Sequence, residues 1–380
     1  MATENNNKNL NVPNLRFPEF SGEWERCALG DITENFSRRN KEEILYPMFS
    51  VTNNKGFIPQ SEQFEDREMV GEDIKAYKII HKDDFAYNPA RINVGSIAKY
   101  NGENPCMISS LYVCFKTTPK IDNDWMMQLL KTPKMNFYYN INGEGGVRVY
   151  LFYPNFARIK TSYPTLQEQQ KISSFLSLLD ERIATQIKII EKLESLIKGL
   201  CQKLFVNTKY DRFVSLGNIA HVSNGNSDVK DASMFNDGGM YPFFDRSDEI
   251  KYLSEYLLDK EAIIYPGEGA EFYPRYYNGK FALHQRCYAI YDISSDFIPR
   301  DLYHYCKTQN SYFVRNAVGS TVASLRLDTF KRLKIPAISK SVQESLVQLL
   351  DKIESKHECN KVLLKKHEEQ KKYLLSNLFI

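Results

Sequence analysis

The stretch of sequence that decides the fold is QEQQKISSFLSLLDERIATQIKIIEKLESLIKGLCQKLF, residues 167–205. It contains no proline, and Gly199 is its one glycine. Apolar side chains return in steps of three and four, which is the spacing of residues on one face of a helix. These positions are Ile172, Phe175, Leu176, Leu179, Ile183, Ile187, Ile190, Leu193, Ile197, Leu200 and Leu204. The pattern predicts one helix of about 40 residues, or about 60 Å.

A second stretch with helical spacing closes the chain, and its middle is polar around His357, Asn360 and His367. A long helix with a narrow apolar seam needs a partner helix to bury that seam. We predict that the two long helices pair as an antiparallel coiled coil with a globular domain at each end. The alternative is that each helix docks on its own globular domain. The residues predicted for the helix-pair and subunit interface are Ile172, Leu179, Ile183, Ile187, Ile190, Ile197, Leu346, Leu350, Ile353, Leu363 and Leu374.

Landmarks in the two globular parts repeat in the same order. Gly145 and Gly319 are 174 residues apart. The same offset joins Leu151 to Leu325, Phe156 to Phe330, Arg158 to Arg332 and Gln169 to Gln343. LGDI at residues 29–32 matches LGNI at residues 216–219 with an offset of 187. The sequence therefore predicts an α+β fold with a pseudo-twofold internal repeat, in which two mixed globular domains are separated by the long helices.

The same landmarks set the predicted domain boundaries. Residues 1–14 are polar and rich in asparagine, so we predict a mobile tail there. The predicted parts that follow are a first globular domain at residues 15–163, a central helix at 164–207, a second globular domain at 208–337 and a C-terminal helix at 338–380.

Composition narrows the functional classes. The chain has 380 residues, of which 42% are apolar and 26% charged, as in soluble globular proteins of more than one domain. The formal net charge of +3 excludes a polycationic surface, so any nucleic-acid site must be a local patch. The seven cysteines are scattered and odd in number, which is typical of buried thiols in a reducing compartment. No apolar run approaches 18 residues, so we expect a cytoplasmic protein without a membrane span.

A search for catalytic motifs gives no candidate. The sequence has no GxxxxGK[ST] phosphate loop, no GxSxG elbow and no HExxH pair. The six histidines show no metal-ligand spacing, so no metal site is predicted. YNPAR at residues 87–91 lacks the second proline and the aromatic residue of the tetrapeptide that amino-methylating enzymes use. We therefore predict that the chain has no catalytic residues and is not an enzyme by itself.

Polar, basic and aromatic residues that are typical of DNA contacts occur in predicted turns of both globular parts. Arginine can read guanine with two hydrogen bonds, asparagine and glutamine can read adenine, and lysine holds phosphates. The candidates are Arg38, Arg39, Lys41, Asn53, Lys55, Arg91 and Asn93 in the first part, and Asn224, Asn226, Arg246, Arg275, Tyr276, His284 and Arg286 in the second. Solvated loops use the same residue types, but their occurrence in two modules on a rigid spacer favours a two-part DNA site.

Several motifs resemble the specificity (S) subunits of type I restriction–modification systems. LRFPEF at residues 15–20, WE at 24–25 and LGDI at 29–32 resemble the characteristic start of that family, and EQQKI at 168–172 resembles the start of its helices. AYNPARINVGSI at 86–97 is similar to one group of its target-recognition domains, and IYPGEG at 264–269 with HQR at 284–286 to another. VQESL at 342–346 departs from the helix motif, because it keeps only the glutamine and the apolar position.

The resemblance implies a non-catalytic subunit in which each target-recognition domain reads one half of an asymmetric, bipartite DNA site. It also implies that the helix pair sets the gap between half-sites and docks other subunits. The expected partners are double-stranded DNA, two adenine-methylating modification subunits that bind S-adenosylmethionine, and restriction or translocase subunits that use ATP and Mg. No cofactor is expected on this chain.

Two alternatives stay open on the sequence alone. A coiled-coil scaffold could bridge partner proteins through its two globular parts without reading bases. A self-sufficient DNA methyltransferase would bind the methyl donor itself.

Overall fold

The computed structural model describes residues 11–63, 74–145, 149–319 and 321–380. The chain divides into two compact units. Unit 1 comprises Met1–Gln186 and Leu363–Ile380, and unit 2 comprises Ile187–Val362. Within the described ranges, no helix is both long enough and apolar enough to cross a membrane.

The described part of unit 1 contains short strands and short helices, followed by the first long helix. The strands are β1 (Glu25–Ala28), β2 (Thr33–Phe36), β3 (Phe49–Thr52), β4 (Gly56–Pro59), β5 (Lys78–Ile80), β6 (Phe85–Tyr87), β7 (Ile97–Lys99), β8 (Cys106–Ile108), β9 (Val113–Thr117) and β10 (Lys160–Tyr163). The helices are α1 (Leu29–Ile32), α2 (Gln60–Gln63), α3 (Asn123–Leu130), α4 (Pro133–Asn142), α5 (Tyr153–Arg158) and α6 (Leu166–Cys201), with 3₁₀ turns at Ile74–Ala76 and Ile92–Val94. Strands β2, β9, β6 and β7 form an antiparallel sheet in that order, while β1 pairs with β10, β3 with β4 and β5 with β8.

In the second half, α6 runs into a π-helical turn at Gln202–Val206, and a larger sheet follows. The strands are β11 (Phe213–Ser215), β12 (His221–Asn224), β13 (Tyr241–Phe244), β14 (Lys251–Leu253), β15 (Leu258–Pro266), β16 (Arg275–Leu283), β17 (Cys287–Tyr291) and β18 (Lys334–Pro336). The helices are α7 (Pro299–Lys307), α8 (Asn310–Asn316), α9 (Leu327–Arg332) and α10 (Lys340–Asn377), with 3₁₀ turns at Leu216–Asn218 and Val229–Asp231. The sheet order is β12-β17-β15-β16-β13-β14, and β11 pairs with β18.

The strand order shows the internal duplication. The four-stranded sheet β2-β9-β6-β7 of unit 1 returns as β12-β17-β15-β16 in unit 2, and the pair β1-β10 returns as β11-β18. Even single backbone bonds repeat. The Leu29 amide donates to the Ile159 carbonyl over 2.9 Å, and the Leu216 amide donates to the Leu333 carbonyl over 2.8 Å. The predicted α+β fold with an internal repeat is therefore confirmed.

The core of unit 1 includes one end of each long helix. Ile172 and Leu176 from the start of α6 are buried together with Leu378 and Phe379 at the end of the chain. The Trp125 ring of α3 lies 5.7 Å from the Phe379 ring. Because α10 packs here on the first globular half, the alternative that each long helix docks only on its own globular domain is wrong.

The core of unit 2 takes the opposite ends of the same helices. Phe205 from the π-helical turn and Leu350 from α10 are buried in one cluster with Tyr265 of β15 and Phe330 of α9. The Tyr265 hydroxyl donates to the Cys306 carbonyl over 3.0 Å, which satisfies the hydroxyl inside an apolar core. Both long helices therefore form part of this core.

Polar pairs along the seam show that the helices run antiparallel. In unit 1, Lys371 of α10 pairs with Asp180 of α6. In unit 2, His357 of α10 lies 3.0 Å from Glu194 of α6. Partner numbers rise on one helix while they fall on the other, so the predicted antiparallel pairing is confirmed.

Burial along the helices agrees with most of the predicted seam but not with all of it. Ile172, Leu179, Ile190 and Leu350 are buried, and Ile183, Ile197, Leu346, Ile353 and Leu374 are partly buried. Ile187 and Leu363 are 39% and 41% exposed, so burial does not place them in the seam. Gln186, next to Ile187, is buried instead. A straight helix has about 3.6 residues per turn, so positions chosen in steps of three and four drift away from the seam over several turns. A neighbouring residue, here Gln186, then faces the seam instead.

A buried glutamine joins the first turn of each long helix to its globular domain. In unit 1, Gln169 Oε1 accepts from the Asp122 amide over 2.8 Å, and Nε2 donates to the Lys120 and Pro164 carbonyls. Asp122 is the N-cap of α3, and Gln169 is fully buried. We call this arrangement the glutamine clamp.

The glutamine clamp recurs in unit 2. Gln343 Oε1 accepts from the Ile298 amide over 2.7 Å, and Nε2 donates to the Asp296 and Ile338 carbonyls over 2.9 and 3.0 Å. Ile298 is the N-cap of α7, and Gln343 is also fully buried. Each amide thus uses its oxygen and both of its protons on backbone groups. The clamp fixes the long helix on the globular part of the same unit.

Residues from separate motifs meet beside the first clamp. The Arg16 guanidinium donates to Glu168 through Nε and Nη2, over 2.8 and 2.7 Å, and the Trp24 indole donates to the same carboxylate. The Glu168 side chain is 1% exposed, so its charge needs this arginine. In unit 2 the corresponding position is Val342, which is 46% exposed. Because the second helix motif has valine at this position, it cannot form the buried ion pair that Glu168 forms in unit 1.

Order extends into the predicted N-terminal tail. The Asn11 side chain is 8% exposed and donates to the Trp24 carbonyl over 2.6 Å. The Trp24 amide donates back to the Asn11 carbonyl over 2.8 Å. Residues 11–14 are thus part of the packed chain, because the Asn11 side chain bonds the Trp24 backbone and the Ser162 hydroxyl of β10. Residues 1–10 of the predicted tail lie outside the described residues.

Replacing Gln343 by leucine should loosen α10 from the second globular domain. The change leaves the buried Ile298 amide and two carbonyls without partners, which we expect to cost about 3 kcal/mol. Hydrogen exchange at Ile298 should accelerate strongly. Gln348→Leu, on an exposed position of the same helix, is the matched control and should leave exchange unchanged. Equal protection of Ile298 in both variants would contradict the clamp.

Asp301 makes the stability of unit 2 depend on pH. It is 7% exposed, and its Oδ1 has no hydrogen-bond partner among the described residues. Burial raises the pKa of its carboxyl to about 7. The folded chain holds this proton more tightly than the unfolded chain, so stability falls between about pH 4 and pH 7 and is level above. Asp301→Asn should flatten this fall in thermal unfolding from pH 5 to pH 8, whereas Asp328→Asn, on an exposed position, should not.

Candidate nucleic-acid interface

In unit 1, three predicted DNA contacts converge on one cavity. Asn53 and Lys55 lie in the turn between β3 and β4, and Arg91 follows β6 as the N-cap of the 3₁₀ turn Ile92–Val94. With Asn88 and Tyr112 they line a cavity of about 690 Å³. Arg91 is exposed, and no bond of its guanidinium is found within the described residues. This cavity offers amide, ammonium and guanidinium donors to a ligand.

The other candidates of unit 1 lie apart from this cavity. The Arg38 guanidinium donates to Asp84 over 2.8 Å and to the Ile79 carbonyl over 3.2 Å, so it is partly held inside the domain. Arg39 and Lys41 are exposed in the segment that follows β2. Asn93 is half-buried and donates to Asn140 of α4 over 3.0 Å, away from the Arg91 cavity.

In unit 2, Arg286 and Glu268 form the centre of the candidate site. Arg286 Nη1 lies 2.8 and 2.9 Å from the two Glu268 oxygens. The Ser324 hydroxyl donates to the same carboxylate over 3.3 Å. The Arg286 guanidinium holds the pKa of the Glu268 carboxyl below its ordinary value, and the charge of Arg246 adds to this effect. Two predicted arginines therefore lie near one carboxylate.

Two further segments close around this pair. The side-chain amide of Asn224, at the end of β12, donates to the Gln285 carbonyl over 3.2 Å. The backbone of Asn226 donates to Leu283 over 3.2 Å, which holds its segment against the end of β16. The ring nitrogen Nδ1 of His284 accepts from the Arg286 amide over 3.3 Å. The structure thus brings together Asn224, Asn226, Arg246, His284 and Arg286.

Arg275 and Tyr276 lie in strand β16, not in a turn as predicted. Arg275 donates to the Ser247 carbonyl over 2.8 Å and to the Asp245 carbonyl, and burial lowers its pKa. The Tyr276 hydroxyl donates to Glu261, and its ring faces the Arg300 guanidinium at 4.6 Å. Both side chains thus have structural contacts inside the domain, and their contact with DNA stays a prediction.

Sequence reasoning missed Glu268 and Ser324 because it searched for basic and amide side chains. A glutamate between Gly267 and Gly269 is a visible signal. A Cβ at Gly267 would lie 1.8 Å from the Arg286 carbonyl oxygen, so glycine is required for the close approach of the two segments. The residue that follows such a glycine is then held against the neighbouring arginine.

Within the part of the chain that the structure describes, one group of residues has ligand atoms close enough for a metal ion. His304 of α7 and Asp351 and Glu354 of α10 place ligand atoms within 4.8 Å of one another, although the sequence showed no metal-ligand spacing. Arg300 and Lys307 already donate to these two carboxylates over 2.8 and 2.6 Å. Burial lowers the pKa of His304, which favours its neutral form. The residues fit an ion-pair network better than a metal centre, and the absence of a metal site stays a prediction.

Comparison with known families assigns the chain to one of them. The model of the type I restriction modification DNA specificity domain matches residues 22–195 and 209–369. The chain belongs to this family. The two matched segments correspond to the two halves of the duplicated fold, so the resemblance drawn from the sequence motifs is confirmed.

Individual relatives agree with this assignment. A putative type I restriction enzyme MjaX specificity subunit from Methanocaldococcus jannaschii is 26% identical over 216 residues, which cover 54% of this chain and 50% of that protein. The chain thus spans about half the length of the curated relative that it matches. A type I restriction-modification S subunit from M. genitalium has a TM-score of 0.67 and 14% identity, covering 97% of this chain and 99% of that chain.

A second solved chain, from work on complex assembly and conformational transition of the type I R-M system, has a TM-score of 0.57 and 12% identity. It covers 93% of this chain and 97% of that chain. At these identities both structures show a shared fold. These structures confirm the fold class, and the family model with the curated relative confirms, at the level of the family, a specificity subunit that is not an enzyme by itself.

Arg275 and Arg286 should behave differently when each is replaced by alanine. Arg275→Ala removes a half-buried guanidinium from two backbone carbonyls, and we expect unit 2 to lose about 2 kcal/mol of stability. Arg286→Ala removes an exposed ion pair and should leave the stability of unit 2 unchanged. Urea unfolding of both variants measures this difference. An Arg275→Ala chain that is as stable as the parent would contradict the structural role.

Proposed function

We propose that the chain reads an asymmetric, two-part sequence in double-stranded DNA, with one half-site for each unit. The supporting observation is that the candidate residues follow equivalent strands of the duplicated fold. Strands β2 and β12 lead into Arg38–Arg39 and Asn224–Asn226, and strands β6 and β15 lead into Arg91 and Glu268. A duplicated scaffold that carries different polar side chains at equivalent loops suits the recognition of two different half-sites.

The chemistry of each cluster suits base reading more than general binding to phosphate. Guanidinium and amide groups can form paired hydrogen bonds with base edges in the major groove. The net charge of the chain is only +3, and Arg38 and Arg286 each pair with a carboxylate. Binding without sequence preference rests on uncompensated positive charge. Local arginines on a nearly neutral protein therefore favour discrimination between sequences.

The long helices suit the docking of other subunits. In unit 1, Leu178 of α6 and Leu363 of α10 are 62% and 41% exposed, and in unit 2, Leu196 of α6 is 47% exposed. Exposed leucines on long helices are typical partners for further helices. We propose that two adenine-methylating modification subunits, which bind S-adenosylmethionine, dock there, and that restriction or translocase subunits using ATP and Mg join the complex. The helices then set the gap between the half-sites, and the chain itself binds no cofactor.

Arg91→Ala and Arg286→Ala should each impair one half-site only. The chain, assembled with its modification subunits, is offered a pool of duplexes with random sequence, and methylated adenines are mapped by sequencing. The parent complex should select one bipartite sequence. Each variant should lose preference at one or two base pairs of one half-site, by about 10-fold to 100-fold.

Arg332→Ala, which removes an exposed arginine paired with Asp328 on α9, is the control and should keep the parental site. Equal weakening of both half-sites by either variant would show that these arginines do not read bases. If the assembled parent complex binds duplex DNA with no sequence preference, the two-part reading is wrong and a bridging scaffold is favoured. Binding of methyl donor by the isolated chain would indicate a methyltransferase instead.

A further inference from the structure

The bond pattern of Arg286 leaves one edge of its guanidinium unused. Both hydrogen bonds found for this group within the described residues start from Nη1, which lies between the two Glu268 oxygens. Nε and Nη2 form the opposite edge, with two parallel N–H groups. The Arg286 side chain is 62% exposed, whereas that of Glu268 is 20% exposed. The free edge has the shape that binds the O6 and N7 atoms of guanine.

The segment that carries Glu268 is hydrogen-bonded to residues 323–325. The Gly267 carbonyl accepts from the Leu325 amide over 2.8 Å, and the Gly269 amide donates to the Ala323 carbonyl over 3.0 Å. The Ser324 hydroxyl adds a bond to the carboxylate itself. A carboxylate anchored on both sides can fix the position of a flexible arginine, which otherwise loses conformational entropy on binding.

Stability alone does not explain this pair. Ion pairs with an exposed partner contribute little to folding, because water screens the two charges. Near DNA, a carboxylate also repels phosphates, so Glu268 weakens binding that does not depend on sequence. A group that orders an arginine and also opposes phosphate contacts favours discrimination over affinity.

We propose that Glu268 is a positioning residue that aims the free edge of Arg286 at a guanine in the half-site read by unit 2. This inference rests on the proposed function. The preference of Arg286 for guanine then depends on Glu268, which contacts no base itself.

The first unit provides an internal contrast. The Leu151 amide donates to the Pro89 carbonyl over 3.0 Å, as the Leu325 amide donates to Gly267. Pro89 therefore corresponds to Gly267, and Ala90 takes the place of Glu268. Arg91 has no carboxylate partner within the described residues. Glu268 and Arg286 both belong to unit 2, so a change at Glu268 should leave the half-site of unit 1 intact.

The test uses Glu268→Gln in the complex assembled with modification subunits, with the random duplex pool as the probe. Glutamine keeps the size of the side chain and its bond to Ser324, but removes the charge. We expect guanine preference at one base pair to fall about tenfold. Affinity for random-sequence duplex at low salt should rise about twofold to fivefold, because a repelling charge is gone. If Glu268 had only a structural role, Glu268→Gln would lower both the guanine preference and the affinity for random-sequence duplex.

Asp292→Asn is the matched control, because it also removes one negative charge from an exposed ion pair of unit 2. Asp292 pairs with Lys260 beyond the end of β17 opposite to Cys287. We expect this variant to keep both the guanine preference and the parental affinity. If it raises the affinity for random duplex as much as Glu268→Gln does, the effect is one of net charge, and the local repulsion is refuted.

The double variant Glu268→Gln with Arg286→Ala decides whether Glu268 acts through Arg286. Arg286→Ala alone should abolish the guanine preference, and adding Glu268→Gln should cause no further loss of preference. Unchanged guanine preference in Glu268→Gln, or a loss that persists without Arg286, overturns the inference. If the parent complex shows no preference at all, the proposed function fails and this inference fails with it. If the parent is selective and Glu268→Gln is equally selective, only this inference fails.

Discussion

Each half of this protein depends on the amide of one buried glutamine. Gln169 and Gln343 stand in the first turn of a long helix and bond the backbone at the start of a helix in the adjoining globular part. An amide suits this position because its oxygen accepts from an orphan amide at the helix start while its two protons serve two carbonyls. No apolar residue could satisfy those groups, and a carboxylate would meet the carbonyl oxygens with the wrong charge. The clamp therefore fixes the position of each globular part, with its loops, on the long helix of the same unit.

The duplication separates a retained framework from variable loops. The framework repeats at the level of single hydrogen bonds, as the Leu151–Pro89 and Leu325–Gly267 pairs show. The loops differ: unit 1 has a cavity beside the β3–β4 hairpin, whereas unit 2 extends its sheet with β13 and β14 and pairs an arginine with a glutamate. Buried bonds tolerate little change, whereas exposed loops tolerate much. Different half-sites can thus be read from one architecture.

The sequence predicted the helices, the repeat and the family well, because each rests on a pattern that is periodic or duplicated. LGDI and LGNI are an example: a Cβ at Gly30 or at Gly217 would lie 3.0 Å from Ala157 or Lys331, so both copies pack closely at the glycine. Features that depend on a neighbour distant in sequence were harder to predict. The exposure of Ile187 follows from the drift of a long helix, and the burial of Arg275 follows from a strand that appeared to be a turn.

Charge explains why a protein that belongs to a DNA specificity family has a net charge of only +3. A large positive surface would bind every duplex, and competition from the many sites of a genome would then dilute the correct one. Under the proposed function, carboxylates beside the arginines reduce that background. Asp84 holds Arg38, and Glu268 holds Arg286, each over 2.8 Å. Under the proposed function, each pair would lower affinity for phosphate and order an arginine for contact with a base. On this proposal, weak general attraction to DNA is a condition of selective reading, and a nearly balanced net charge meets that condition.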